Sequence, residues 1–254
     1  MQTGTFLTLL FMMTARLLPA PSGLMELPAF EPEDPVYWYA GHALQYNNEA
    51  RQADWVAYEL TAEEVDTKVA KRQNKFLPDP NPNILSAENS DYYKSSFDRG
   101  HLAPSADMRF SIEAMRDCFY YSNISPQHPR LNRGIWLTLE NKSRSWAKEF
   151  GAIFITAGPI FSHEDSSIGS NRVRVPIGFY KAILDYKSFP PKAIAFIFLN
   201  GESKKTLADH SVSVDTAESI TGLDFFSILP DTLEDMIEST ANPALWFSSL
   251  SDAQ

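Results

Sequence analysis

Four short segments of this sequence carry residue types that could act together on a phosphodiester. They are Asp98-Arg99-Gly100-His101, Ser122-Asn123-Ile124-Ser125-Pro126-Gln127, Leu131-Asn132-Arg133-Gly134-Ile135-Trp136 and Leu139-Glu140. Hydrolysis of such an ester needs a base for the attacking water, a cation to stabilise charge on the phosphorane and leaving oxygen, and a basic side chain on the phosphate. His101 suits the base, since an unperturbed imidazole titrates near ~6.5. Arg99 can grip phosphate oxygens with its planar fork, and Gly100 lets the backbone approach a neighbour or a phosphate closely. Asn132, at an expected helix start, offers a neutral oxygen to a cation; Mg²⁺ keeps most of its waters, so one protein ligand can suffice. Glu140 would lie two turns further along the same helix, where its carboxylate could orient those waters. Singly, each residue has a plainer reading: a surface or core histidine, an N-cap, a glutamate paired with Arg144 at i,i+4. The ordered set carries more weight than its members.

The elements that must position these residues are legible in outline. HALQY (42–46) and WVAYEL (55–60) alternate as half-buried strands do. Residues 61–90, broken by Pro78, Pro80 and Pro82, read as a long surface excursion. Ser111 is expected to cap a helix running to about Tyr121, and Asn132 to open a longer one to about Phe150, with Ile135, Leu139, Trp146 and Phe150 as its apolar stripe. Short β-branched and aromatic runs at 152–156, 179–186 and 193–199 read as buried strands. Asp215 with Glu218, and Asp231 with Glu234, look like capping-box variants for two short helices, the first ended by Gly222. The pattern gives one α+β domain with a mostly antiparallel sheet.

Composition bounds the rest. The chain has 254 residues and a net charge of −10. Taken alone that balance argues against a nucleic-acid binder, although an enzyme needs only a local basic groove. The single cysteine, Cys118, allows neither an intrachain disulfide nor a Cys-rich zinc site, and its apolar-aromatic setting reads as a buried thiol. Thr5–Met13 is an apolar stretch too short to span a bilayer, followed by small residues, although no Lys or Arg precedes Arg16. It reads as a signal peptide over residues 1–23, implying a secreted or periplasmic protein; a buried N-terminal helix is the other reading. Residues 24–37 read as a Pro-rich acidic linker and 38–250 as the domain.

The stretch from Asp98 to Glu140 resembles the DNA/RNA non-specific endonuclease family, whose signature is DRGH, then S/T-N-x-x-P-Q, then N-x-G-x-W with a Glu eight residues after the Asn. This sequence has each element, as DRGHLAPSADM, SNISPQ, LNRGIW and LE, and WVAYEL, ITAGPIF and ITGLDFFSILP extend the likeness over roughly residues 40–235. The resemblance implies a ββα-metal (His-Me finger) nuclease fold, its central sheet flanked by helices, with His101 on the hairpin and Asn132 on the following helix, both facing one Mg²⁺. By the family pattern His101 would be the general base, Asn132 the direct metal ligand and Glu140 a ligand through water. Arg99 would contact phosphate and Asn123 would support the site by hydrogen bonding. Arg72, in KRQNKFLPDP, is the best match to a further family arginine, and Arg109 and Arg133 would join Arg99 and Arg72 along a substrate groove. Asp98 reads as structural support.

Mg²⁺ is the implied cofactor, with Mn²⁺ a substitute. DNA and RNA are the implied substrates, held through their phosphates with little base readout and cut to 5′-phosphate products. The resemblance leaves a homodimer and a protein inhibitor open as partners. The alternative is a catalytically inactive nucleic-acid-binding module on the same fold, against which intact His101, Asn132 and Glu140 argue. A phosphodiesterase acting on nucleotides or lipids would show a deep, closed apolar pocket in place of an open groove.

Overall fold

The computed structural model describes residues 24–31 and 33–247. The leader read at 1–23, and the last residues of the expected domain, lie outside the described residues. Strands β1 (Val36–Trp38), β2 (Ala43–Asn47) and β3 (Gln52–Thr61) lead into α1 (Ala62–Asp66) and α2 (Asn89–Tyr92). Next come β4 (Asp98–His101), α3 (Ile112–Asp117), β5 (Ile124–Gln127) and α4 (Trp136–Phe150). The second half holds β6 (Ala152–Ile160), β7 (Ser167–Ile168), β8 (Val173–Arg174), β9 (Gly178–Asp185), β10 (Lys192–Leu199), β11 (Ser211–Val212), α5 (Val214–Thr221) and α6 (Asp231–Glu238).

Among the described residues, seven strands form one antiparallel sheet in the order β1-β2-β3-β6-β9-β10-β11, while β4 pairs only with β5 and β7 only with β8. Two-residue alternation along each strand feeds two different cores. Ile153, Ile155 and Ala157 of β6, Phe179 and Ile183 of β9, and Ile194, Phe196 and Phe198 of β10 pack on the face covered by Trp136, Leu139 and Trp146 of α4. Phe154, Tyr180, Ala182, Leu184, Ala193 and Ala195 face the other way, against Val214 and Ala217 of α5 and Ile237 of α6. The central strands are therefore buried on both faces, which is why 152–156, 179–186 and 193–199 read as continuous apolar runs. The expected α+β class with a mostly antiparallel sheet is what the chain adopts.

Several local expectations need correction. The 61–90 excursion begins with α1, whose capping box is Thr61 with Glu64, and it buries Ala70, Ile84 and Ala87. Ser111 does cap α3, accepting from the amides of Glu113 and Ala114, but that helix stops at Asp117. Asn132 is not the N-cap of α4. The amides of Leu131 and Asn132 both donate to His128 O (2.9 and 3.0 Å), so the turn starts earlier, and it runs as a π-type turn over Leu131–Ile135 in which Gly134 leaves helical geometry. The caps of α5 and α6 are Ser213 and Pro230; Asp215 and Asp231 sit inside the first turns, where an acidic side chain complements the positive helix end. Gly222 ends α5 in the left-handed region, at φ 74°. The segment read as a linker gives Met25 and Leu27 to the second core and its end to β1.

Candidate active site

β4 and β5 form a short antiparallel pair in which Asp98 faces Gln127 and His101 faces Ile124. Alternation along β4 puts Arg99 and His101 on one side and Asp98 and Gly100 on the other. Gly100 is required there: a Cβ would come within 2.1–2.5 Å of the buried Gln127 side chain. Gln127, not phosphate, is thus the neighbour that needs a glycine.

On the first side an aromatic floor gathers the basic groups. The Arg99 guanidinium lies 4.5 Å from the Phe76 ring centroid, the His101 ring 5.4 Å from the same centroid, and the His101 ring meets Phe119 edge-on at 4.8 Å. Arg72 lies over Phe119 at 5.6 Å, so the arginine of the 61–90 loop does reach this cluster. His101 is 8% exposed, and its Nε2 has no hydrogen-bond partner among the described residues. Burial, with the charges of Arg72, Arg99 and His42, pushes its pKa down to about 3. The imidazole is therefore neutral at physiological pH, the state a proton acceptor must be in. Arg99 is oriented by donation from Nη1 to Asn89 Oδ1 (2.6 Å). A cleft of about 300 Å³ opens beside it, lined by Asn89, Tyr92, Tyr93, Lys94, Phe97 and Asp98. This is a polar surface cleft rather than a closed apolar chamber.

On the other side of β4, Asp98 accepts from Arg133 Nε (2.7 Å) and from Asn132 Nδ2 (2.9 Å). Burial opposes ionisation of Asp98, but the bonds from Arg133 and Asn132 hold its carboxyl below the usual range. Asp98 is thus the structural support expected of it. Because Asn132 donates through Nδ2, its Oδ1 points away from the carboxylate and is presented as a neutral hard donor, suited to Mg²⁺. Arg133, expected at the substrate groove, spends its fork on Asp98. Arg109, expected there too, lies in a different depression with Lys68, Arg144 and Lys148.

Asn123 is a fully buried clamp. Its Oδ1 accepts from Ala103 N (2.9 Å), and its Nδ2 donates to Ala103 O (2.9 Å) and Cys118 O (2.8 Å). It ties the start of β5 to the chain leaving His101. Asn123→Ala would strand three buried backbone groups, and we expect a loss of about 3 kcal/mol, read as a lower urea midpoint at unchanged m-value. Cys118 is buried, with its thiol donating to Met115 O and its pKa pushed up by burial, as an inert thiol should be.

Glu140 is buried on α4. Burial is the foremost cause raising its pKa to about 7; Lys181 opposes the shift and Asp107 adds to it. Arg144 is not its partner at i,i+4: that guanidinium binds Asp107 (2.6 Å), which also accepts from the Tyr58 hydroxyl (2.9 Å). Lys181, 0% exposed, was missed by sequence reasoning. It sits on β9 between Phe179 and Ile183, on the face toward α4, with Nζ 4.8 Å from the Trp136 ring centroid. The available signal was a lone charge at an inward position of an apolar strand, which is costly unless another charge answers it.

Comparisons place this geometry among known proteins. A family model described as DNA/RNA non-specific endonuclease matches residues 27–232. Nuclease EXOG, mitochondrial, of Xenopus laevis is 37% identical over 204 residues, covering 74% of this chain and 57% of the relative. Nuclease C1 of Cunninghamella echinulata var. echinulata is 35% identical over 216 residues, covering 78% of this chain and 86% of the relative. A chain of the EndoG/EndoGI complex, solved to describe inhibition of EndoG, aligns with a TM-score of 0.74 at 26% identity, covering 83% of this chain and 92% of that one. The matches span only 56–61% of the length of the EXOG relatives from Xenopus laevis, Danio rerio, Mus musculus and Homo sapiens, all of which are named mitochondrial. Those names overturn the expectation of a secreted or periplasmic protein. The leader has no acidic residue before Glu26, a trait that transit peptides share, although with one Arg it is not Arg-rich as they are. Among the described residues no helix is long and apolar enough to cross a membrane.

Proposed function

This chain belongs to the DNA/RNA non-specific endonuclease family, and from that premise we propose that it is a Mg²⁺-dependent endonuclease cutting both DNA and RNA to 5′-phosphate ends. The observation that carries the reading is the buried imidazole of His101, with Nε2 unpartnered among the described residues and Arg99 beside it on the same strand face. Arg99 and Arg72 would hold the scissile phosphate over the Phe76 and Phe119 floor. His101 would take the proton of a water attacking in line, opposite the leaving O3′. Asn132 would hold Mg²⁺ through Oδ1, with Glu140 holding it through water and Mn²⁺ an acceptable substitute. Bound there, the cation would neutralise charge developing on phosphorus and on the leaving oxygen. Grip through phosphates alone would make the enzyme indifferent to the sugar and to sequence. The mitochondrial relatives make mitochondria the proposed location.

The direction of attack gives a test. Fragments of a digested plasmid should resist labelling by a polynucleotide kinase until a phosphatase has treated them, as 5′-phosphate ends require. Fragments labelled directly would carry 5′-hydroxyls, and the assignment of His101 as base toward a leaving O3′ would fail.

A further inference from the structure

The face of the sheet away from His101 carries an electrostatic problem of its own. Residues 211–247 hold seven acidic side chains and no Lys or Arg. Three of them, Asp215 and Glu218 of α5 and Glu238 of α6, bring carboxylate oxygens within 4.8 Å of one another. Glu238 is only 3% exposed, and its Oε1 has no hydrogen-bond partner among the described residues. A buried carboxylate with an oxygen that has no donor, set beside two further carboxylates, lacks the compensation that buried charge requires.

We propose that Asp215, Glu218 and Glu238 form a structural Ca²⁺ site that ties α5 to α6 on the face opposite the nuclease residues. The donors are all hard oxygens, and their spacing fits within the span across a Ca²⁺ ion with bonds of about 2.4 Å. Ca²⁺ tolerates irregular geometry and completes its shell with water, which the exposed Asp215 side admits. Glu218 is already steered toward this place, because its Oε1 accepts from Phe225 N (2.8 Å). The inference stands apart from the nuclease reading and does not depend on it.

Calorimetric titration with CaCl₂ decides the matter, using the full chain with Asn132→Ala as background so that the proposed catalytic cation site is weakened. The expected result is saturable binding with Kd of about 10⁻⁴ M or tighter, weakened at least ~tenfold by Glu238→Gln and by the solvent-side Asp215→Asn. In the same Asn132→Ala background Ca²⁺ should also raise the Tm, but not once Glu238→Gln is added; in EDTA that variant should be at least as stable as its parent because a repelling charge is gone. An isotherm unchanged by both substitutions would overturn the site. So would loss of stability in Glu238→Gln that is the same with and without Ca²⁺. If Glu238→Gln does not fold, Asp215→Asn carries the test alone.

Discussion

His101→Ala should lower kcat on plasmid DNA and on RNA by about 10³-fold or more, the scale of a lost general base, while the fold survives. Among the described residues the imidazole makes no hydrogen bond through Nε2, and it rests on the Phe76 and Phe119 rings, so its removal leaves no stranded partner at that atom. A structural histidine would give the opposite split, with stability lost before rate. The same substitution has a signature in pH. The folded pKa of His101 is depressed to about 3 from an ordinary 6.5, so the unfolded chain gains a proton below 6.5 that the folded one refuses. Stability that is full above pH 6.5 is therefore lost as pH falls toward 3. His101→Ala removes that loss, and between pH 7 and 5 it should lose about 1–2 kcal/mol less than the parent. Urea unfolding at the two pH values measures it.

Asn132→Ala should raise the Mg²⁺ concentration for half-maximal rate by about tenfold or more and lower kcat by about 10²-fold, since Mg²⁺ held by one or two protein ligands loses one of them. Asn132→Asp separates ligation from charge. It keeps an oxygen but loses the Nδ2 bond to Asp98 and sets a carboxylate against that carboxylate. It should therefore fall below the parent despite its greater charge. Mg²⁺ titrations of initial rate on all three proteins give the answer. An unchanged half-saturation in Asn132→Ala would leave Asn132 as a tether for Asp98 and nothing more.

How far the sequence reached varies with the range of the interaction. Strand positions followed from side-chain alternation and apolar runs, because burial acts residue by residue along the chain. The identity of the Asp98–Glu140 cluster was legible because its residue types recur at fixed spacing. The Asn132 turn was misread as an N-cap because a backbone carbonyl three to four residues earlier, His128 O, already starts the helix. Phe76, which seats both Arg99 and His101, gave no signal in its loop: its meaning exists only once β4 lies over it. The same holds for Lys181 opposite Glu140, brought together by β9 packing under α4.

The net charge of −10 also takes on a spatial sense. Acidic groups accumulate on α5 and α6, on one face of the sheet, while Arg72, Arg99 and Lys94 lie by the β4–β5 pair, which packs on the other. Net charge said little because the two faces differ, and a polyanion meets the local field rather than the sum.

No measurement bears on the proposed activity as squarely as incubation of supercoiled plasmid and of a structureless RNA with the purified full chain, in Mg²⁺ and in EDTA. Cleavage of both in Mg²⁺, stopped by EDTA and restored by excess Mg²⁺ or Mn²⁺, is the predicted result. A folded protein that leaves both substrates intact with every divalent cation tried would contradict it.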